Sequence, residues 1–340
     1  MTDVAQNKHT STVSADLIVV SGTRPTGALH LGHLNGALKN WVQLQATSRC
    51  YFFVADWHAL TTDYANPAGI RENTHEMILD WLAVGLDAER SVIFRQSQVP
   101  EHAELHLLFS MIIPVPWLER VPTYKEQQEQ LEGRDLSTYG FLGYPLLQAA
   151  DILIYKAGAV PVGEDQLPHV ELTREVARRF NRLYGDVFPE PKGLVVEAAR
   201  VPGTDGRKMS KSYGNAVALT DDSDAVYSKL VRMVTDPRRQ RRTDPGDPKD
   251  CPAFRLHEIY CTAEEKAELS AGCRSASIGC VDCKKVMIRH VQAELAPIQE
   301  RRAALAARPG VVEDVLADGQ RRAAEAAEAT MTEVRTGMGL

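Results

Sequence analysis

Three short apolar runs, each separated from the next by helix-length sequence, most constrain how this chain can fold. The runs are Leu17 to Val20, Tyr51 to Ala55 and Ser91 to Phe94. The first ends in a glycine-rich loop, and the stretch 66–86 has amphipathic helical spacing. Because parallel strands need crossover helices, this alternation predicts a parallel sheet covered on both faces. Ligands of such sheets bind at the carboxyl ends of the strands.

The second half of the chain has a different composition. Beyond about Leu219 strand patterns disappear, and Ala, Glu and Arg dominate with helical spacing to about Thr332. We therefore predict an α/β, Rossmann-like doubly wound catalytic domain over residues 16–218 and an all-helical domain over residues 219–340. Residues 1–15 are polar and lack an apolar signal core, which predicts a disordered leader and a cytoplasmic protein.

Composition also limits the classes of partner that we expect the protein to bind. No apolar run approaches the roughly 20 residues that span a bilayer, so we expect no membrane partner. The net charge of -6 argues against wholesale coating of nucleic acid, and we expect no DNA partner. A local basic patch could still contact RNA, although a solvated surface run is an equal alternative. The patch consists of Lys229, Arg232, Arg238, Arg239, Arg241 and Arg242.

The first loop, residues 21–33, ends in His30-Leu-Gly-His33, where a helix is predicted to begin. Glycine at position 32 would let a bound base or ribose approach the backbone, and a helix N-terminus attracts phosphate. His30 and His33 can donate hydrogen bonds to charge that develops on a triphosphate. Two histidines around a glycine also occur where they only pack, so this motif alone does not decide the function.

A second motif, Lys208-Met-Ser-Lys-Ser212, lies in a Gly-, Lys- and Ser-rich segment at residues 201–215. That composition predicts a mobile loop. Its lysines can close over a triphosphate and stabilise charge as pyrophosphate leaves. A solvated basic loop has the same composition and is the alternative interpretation.

In this order, the two motifs resemble the HIGH and KMSKS signatures of class I aminoacyl-tRNA synthetases. The second matches letter for letter, and the first reads HLGH. The resemblance implies attack of an amino-acid carboxylate on the α-phosphate of ATP, with Mg²⁺ accompanying ATP, and transfer of the acyl group to the terminal ribose of a tRNA. It implies catalytic roles for His30, His33, Lys208, Ser210 and Lys211. It also implies an ATP site made of Arg24, Thr26, Gly32, His33, Gly163, Asp165, Lys208, Met209 and Ser210.

The central region is similar to the tryptophan enzymes of this class, most specifically in Val160-Pro-Val-Gly-Glu-Asp-Gln166. The stretches 56–61, 96–104, 144–155 and 169–174 and the C-terminal region are also similar, so the resemblance covers essentially the chain after the leader. It implies L-tryptophan, ATP and tRNA(Trp) as substrates and a homodimer. In that family the aspartate matching Asp151 accepts the indole N–H, and a buried acceptor penalises a side chain that lacks this donor. The implied tryptophan site is His58, Tyr144, Gln148, Asp151, Val160, Val162 and Gln166.

Two positions depart from this pattern and keep alternatives open. Gln148 stands where many relatives carry Met, so the segment reads YxxxQxxD and also resembles the tyrosine enzymes, in which Gln and Asp bind a phenol. Arg24 stands where many relatives carry Gln, beside the expected ATP site. Tyrosine charging is the closest alternative. The others are adenylyl transfer to another small acid or phosphate, and a paralogue that binds tRNA or tryptophan without charging. Simple core packing is an equal alternative for Val160 and Val162.

Four of the six cysteines have the spacing Cys251-x21-Cys273-x6-Cys280-x2-Cys283. Clustered cysteines in a cytosolic chain suggest a metal site, and four thiolates suit tetrahedral zinc or a [4Fe-4S] cluster. Residues 272–285 resemble a subset of tryptophan enzymes that hold a [4Fe-4S] cluster beside the anticodon-binding site. The resemblance favours the cluster, with Zn²⁺ as the main alternative and unligated cysteines as the other. A cluster would direct Lys284, Lys285 and Arg289 toward the anticodon. Cys50 and Cys261 fall outside the pattern and are predicted to be buried apolar residues.

Overall fold

Five parallel strands form the sheet at the centre of the computed structural model, which describes residues 16–122, 137–195 and 201–340. The strand order is β3-β2-β1-β4-β5, so the chain moves outward from β1 in one direction and then in the other. A crevice therefore opens between the carboxyl ends of β1 and β4, where the strand order reverses. The strands are β1 (Ile18–Thr23), β2 (Arg49–Val54), β3 (Val92–Arg95), β4 (Ala159–Val162) and β5 (Lys192–Val195).

Alternate residues of the strands face two separate apolar cores. Val19 and Phe52 belong to one core, whereas Val20, Tyr51 and Phe53 belong to the other. All five are buried. Because both faces are covered, the strands consist of nearly continuous apolar residues rather than an alternating pattern. The predicted α/β Rossmann-like fold is confirmed.

The helices before residue 196 connect the strands. A short π-helical segment, Leu34–Leu38, lies between the first two α-helices and follows the first signature directly. The sequence pattern predicted a plain helix here. The helices are α1 (Leu31–His33), α2 (Lys39–Leu44), α3 (Asp56–Asp63), α4 (Ile70–Val84), α5 (Glu101–Ser110), α6 (Val115–Glu119), α7 (Tyr139–Leu153) and α8 (Leu167–Tyr184).

Beyond residue 219 the described chain is helical, as the sequence predicted. The helices are α9 (Ser223–Val231), α10 (Pro252–Tyr260), α11 (Ala263–Arg274), α12 (Cys280–Ala306) and α13 (Val311–Met338). Within the three described ranges, no helix combines the length and apolar character needed to cross a bilayer.

The last helix returns to the sheet. An added Cβ on Gly319 of α13 would lie 1.7 Å from the carbonyl oxygen of Ile93 in β3, so only glycine allows the helix to approach the strand this closely. Met331 and Val334 of α13 belong to the same core as Phe94. The division at residues 218 and 219 stays a prediction, and the predicted leader lies outside the described residues.

Candidate active site

A cavity of about 350 Å³ opens at the carboxyl ends of β1 and β4, in the crevice expected for this topology. Its walls come from the loop after β1, the start of α3, one face of α7 and the loop after β4. Nine of the residues predicted from the sequence line it, so residues distant in sequence do meet here. They are Arg24, His58, Tyr144, Gln148, Asp151, Val160, Val162, Gly163 and Gln166.

Asp151 is the most tightly held polar group in the cavity wall, and only 1% of its surface is exposed. Its Oδ1 accepts hydrogen bonds from Gln96 Nε2 and His102 Nδ1, each at 2.7 Å. Its Oδ2 lies 2.7 Å from Nε2 of His58, which donates because a carboxylate only accepts. Tyr155 completes the network, because its hydroxyl lies 2.7 Å from Nε2 of His102.

These three hydrogen bonds do not use the full acceptor capacity of Asp151, and the residue lines the cavity. A carboxylate has about four lone-pair positions, and Asp151 uses two on Oδ1 and one on Oδ2. Burial alone would raise the pKa of Asp151, but His58 and His102 hold that pKa well below its usual range. The cavity therefore contains an ionised, oriented acceptor for one N–H or O–H donor.

Hydrogen bonds from the backbone to its own histidine side chains hold the first signature in one conformation. The backbone N–H of Gly32 donates to His30 Nδ1 at 3.1 Å, and the backbone N–H of His30 donates to His33 Nδ1 at 3.2 Å. The His30 ring also occupies the space over Gly32, where an added Cβ would lie 2.7 Å from the ring. Glycine at this position is therefore required by the histidine itself, a reason that the sequence did not reveal.

Both signature histidines are neutral at physiological pH. Burial and the charges of Lys211 and Lys208 lower the pKa of His30 to about 4. Burial, His30 and the same lysines lower the pKa of His33 to about 3. Because each Nδ1 accepts a backbone hydrogen bond, each proton resides on Nε2, which can donate to a phosphate oxygen. The predicted donor role is thus compatible with neutral imidazole rings.

The second signature is shaped by Asn215, which sequence reasoning missed. Its Oδ1 accepts from the Ser210 backbone N–H at 2.8 Å, and its Nδ2 donates to Asp205 at 2.7 Å and to the Lys208 carbonyl at 3.2 Å. Asn215 is buried. Asparagine often organises turns in this way, and its place just after the motif was the available signal.

The two signatures lie side by side. The backbone N–H of Leu31 donates to the Val217 carbonyl at 3.0 Å, and the N–H of Leu219 donates to the Leu29 carbonyl at 2.9 Å. Lys211 Nζ is 3.4 Å from the Cβ position of Gly27. The remaining predicted site residues are not among those that line the cavity. They are Thr26, His30, Gly32, His33, Asp165, Lys208, Met209, Ser210 and Lys211.

Comparison with known proteins points to the same enzyme class as the two signatures. A family model described as tRNA synthetases class I (W and Y) matches residues 12–296. The chain belongs to this synthetase family. A tryptophan–tRNA ligase of Thermotoga maritima is 54% identical, with 95% of this chain and 99% of the relative covered. A tryptophan–tRNA ligase of Ralstonia nicotianae is 48% identical, with 95% of this chain and 98% of that relative covered.

A solved synthetase structure extends the likeness to three dimensions. It is the tryptophanyl-tRNA synthetase of Campylobacter jejuni, complexed with ADP and tryptophan. Its TM-score to this chain is 0.85 at 31% identity, with 95% of this chain and all of that chain covered. The fold of the present synthetase is therefore that of the family over nearly its whole length.

The four motif cysteines of the synthetase converge in the helical region. Cys251 precedes α10, Cys273 lies in α11, and Cys280 and Cys283 form the first turn of α12. Burial and the charges of the other cysteines raise the pKa of Cys283 to about 12. Gly246 packs closely against Cys273 and Arg239, because an added Cβ there would lie 2.9 Å from Cys273 Sγ and 2.7 Å from the Arg239 side chain. The four thiols therefore lie close enough to influence one another's ionisation.

Lys284 corrects one expectation about this region. It is 6% exposed, and its ammonium donates to the backbone carbonyls of Val231 and Met233. It therefore cannot face RNA, but its charge lies near Cys280, Cys251 and Cys283, where it would favour thiolates. Lys285 and Arg289 are more exposed, although they pair with acidic neighbours.

Cys50 and Cys261 are both buried, as predicted. Cys261 lies near Glu265 and His290, and the donor atoms of these three residues are within 4.8 Å of one another. Glu265 already pairs with His290 at 2.7 Å and with Arg289 at 3.0 Å. Because His290 and Arg289 already bind the carboxylate, these side-chain contacts explain the group without a metal.

The basic patch predicted from the sequence is partly neutralised. Arg238 pairs with Asp236 and Asp250, and Lys229 pairs with Asp221. Arg239 donates to two backbone carbonyls. Much of the patch thus stabilises local structure, which favours the solvated-surface interpretation for these members.

Proposed function

We propose that this protein activates L-tryptophan with ATP to form tryptophanyl-adenylate and transfers the tryptophanyl group to tRNA(Trp). The observation that carries the proposal is the ionised, buried Asp151, which lines the cavity and retains acceptor capacity beyond its three hydrogen bonds. Tryptophan has an apolar ring with one polar group, the indole N–H. A cavity with one fixed acceptor suits that ring. The identities of 48% and 54% to tryptophan–tRNA ligases support the same substrate.

The two signatures would perform the phosphate chemistry. The tryptophan carboxylate attacks the α-phosphate of ATP, the bond to the β-phosphate breaks, and pyrophosphate leaves. His30 and His33 donate from Nε2 to the phosphates, and the ammonium groups of Lys208 and Lys211 stabilise the charge on the departing pyrophosphate. Mg²⁺ accompanies ATP. A ribose hydroxyl of the tRNA then attacks the adenylate carbonyl and releases AMP, so the enzyme needs no nucleophile of its own.

Tyrosine charging remains the nearest alternative, because Gln148 lines the cavity and Asp151 could also accept a phenol O–H. The family description covers both amino acids. Amino-acid-dependent exchange of labelled pyrophosphate into ATP separates the alternatives. We expect exchange with tryptophan and none with tyrosine. Exchange with tyrosine alone would overturn the substrate assignment, and no exchange with either would favour a binding protein that does not charge tRNA.

We infer that the four motif cysteines hold a [4Fe-4S] cluster. Among the described residues, no three of these sulfurs lie within 4.8 Å of one another. A single zinc ion at about 2.3 Å from each sulfur requires a tighter set, whereas a cubane distributes its four thiolates over four irons. The buried ammonium of Lys284 would offset part of the negative charge of such a cluster. The cluster lies outside the active site, so its expected role is to stabilise the helical region.

Cys283→Ser is expected to abolish cluster binding. Anaerobically purified protein should contain about four irons and four acid-labile sulfides per chain, and the variant should lose both. Cys261→Ser serves as the matched control, because it removes a buried cysteine outside the motif. One zinc per chain without sulfide would show that the alternative metal is bound.

We further infer a cytoplasmic homodimer that acts on tRNA(Trp), as the family resemblance implies. The helical region with Lys285 and Arg289 is the proposed anticodon side. Arg232, Arg241 and Arg242 supplement it within the basic patch, and Arg241 and Arg242 are exposed. Such positive charge would attract the RNA backbone through counterion release.

A further inference from the structure

His102 of α5 lies between Asp151 and a buried tyrosine. Its Nδ1 is 2.7 Å from Oδ1 of Asp151, and its Nε2 is 2.7 Å from the hydroxyl of Tyr155. His102 has no exposed surface, and Tyr155 is 3% exposed. Asp151 lines the cavity, whereas His102 and Tyr155 are not among the residues that do so. These hydrogen bonds therefore connect the two residues to the cavity through Asp151.

The chemistry of the atoms gives each hydrogen bond its direction. An ionised carboxylate only accepts, so Nδ1 of His102 carries a proton and donates to Asp151. Burial and the charge of Asp151 raise the pKa of Tyr155 well above its usual value, so the hydroxyl keeps its proton and can donate to Nε2. With that hydrogen bond, Nε2 accepts and the ring proton stays on Nδ1. Tyr155 thus favours the tautomer of His102 that Asp151 needs.

The two oxygens of Asp151 have different surroundings. Oδ1 accepts from Gln96 and His102, neither of which lines the cavity. Oδ2 is bound by His58, which does line it. Because two donors fill Oδ1, the remaining acceptor capacity belongs to Oδ2.

Aromatic packing holds the His102 ring in this place. Its centroid lies 6.1 Å from that of Phe53 and 5.9 Å from that of Phe94. These two rings come from β2 and β3, and both are buried. The donor to Oδ1 is therefore anchored against the sheet, as a supporting residue of a precise binding site must be.

We propose that His102 and Tyr155 are positioning residues for tryptophan selection: Tyr155 fixes the tautomer of His102, and His102 holds Asp151 so that Oδ2 receives the indole N–H. The inference rests on the proposed function and extends indole recognition to two residues outside the cavity wall. Their removal should therefore impair the use of tryptophan and leave the KM for ATP near the wild-type value.

His102→Leu and His102→Asn form a matched pair, because the two side chains have similar shapes and only asparagine can donate to Asp151. In tryptophan-dependent pyrophosphate exchange, we expect the leucine variant to lose about 10- to 100-fold in kcat/KM for tryptophan, the effect of one hydrogen bond to a charged group. The asparagine variant should recover most of that loss. A role in packing alone would not separate the two variants.

The pH profile of kcat/KM for tryptophan gives a second measurement. The titratable groups that interact with Asp151 are His58 of α3, His102 and His106 of α5, and Tyr155 just after α7. Burial raises the pKa of Asp151, and His58 and His102 lower it below its usual range. Without the His102 donor that pKa should rise, so the accepting carboxylate is lost at a higher pH. The acid limb should therefore move to higher pH in His102→Leu and much less in His102→Asn.

Tyr155→Phe tests the outer hydrogen bond. It preserves the ring and should reduce kcat/KM for tryptophan by about 3- to 10-fold, the effect of one neutral hydrogen bond. Because Tyr155 acts through His102, the substitution should have no further effect in the His102→Asn background. Tyr51→Phe is the control, since Tyr51 is buried and stacks on Tyr155 at 4.4 Å but its hydroxyl interacts with Arg49. It should activate tryptophan like the wild type.

Equal losses in His102→Leu and His102→Asn with an unshifted acid limb would overturn the inference, as would a wild-type kcat/KM in His102→Leu. A thermal melt establishes whether each variant is folded. If His102→Leu does not fold, the two-residue cycle decides, and additive effects of Tyr155→Phe and His102→Asn would overturn the inference. Absence of tryptophan-dependent exchange by the wild type would instead refute the proposed function.

Discussion

Replacing Lys211 with alanine is expected to lower the rate of adenylate formation by about 10²- to 10³-fold, the usual effect of removing one preorganised charge from a transition state. Lys211 lies beside Gly27 and close enough to His30 and His33 to influence their pKa values. It does not line the amino-acid cavity. The loss should therefore appear in the single-turnover rate constant, while the KM for tryptophan stays near the wild-type value.

The control is Lys249→Ala, which removes an exposed lysine that belongs to neither signature and does not line the cavity. Tryptophan activation by this variant should match the wild type. The pKa values of the signature histidines provide a second check, because the charge of Lys211 contributes to lowering both. In Lys211→Ala these pKa values should rise, which can be measured by NMR titration. An unchanged single-turnover rate would remove Lys211 from the mechanism.

Hydrophobic patterns alone predicted some strands of the sheet and not others. The first three strands and α4 were predicted because each is a distinct apolar or amphipathic run between polar segments. β4 was not recognised as a strand, because Pro161 interrupts its four residues and proline is rare within sheets. β5 has only four residues and includes Gly193, so it provides no periodic signal. Short strands are fixed by pairing with their neighbours, which local sequence does not encode.

In the site, likewise, residues within contiguous motifs were predicted, whereas contacts between residues far apart in sequence were not. The two signatures are contiguous motifs, so sequence identified their residues and their order. Two partners of Asp151 were missed, because Gln96 lies 55 residues and His102 lies 49 residues away. Buried polar networks of this kind depend on tertiary packing, and an isolated His, Gln or Asp in an apolar helix does not reveal its partner.

Asp151→Asn is expected to reduce kcat/KM for tryptophan by on the order of 10²-fold, because a hydrogen bond to a charged acceptor contributes about 1.5–3 kcal/mol. Asparagine is the informative replacement. It preserves the side-chain volume and can still accept from one of the buried donors. Alanine would leave His58, His102 and Gln96 without their acceptor, and breaking such a buried pair costs about 3–5 kcal/mol of stability. The measurement is tryptophan-dependent pyrophosphate exchange, with a thermal melt to establish folding.

A tryptophan analogue with sulfur in place of the indole N–H distinguishes direct recognition from a general disturbance of the cavity. The wild-type enzyme should prefer tryptophan over this analogue by on the order of 10²-fold, because the analogue leaves the buried carboxylate without its last donor. In Asp151→Asn that preference should shrink toward equality, since the charged acceptor is gone. If the variant instead slows both substrates by the same factor, Asp151 acts only by holding His58 and His102 in the cavity wall. The open position on Oδ2 would then not be the element that selects the indole.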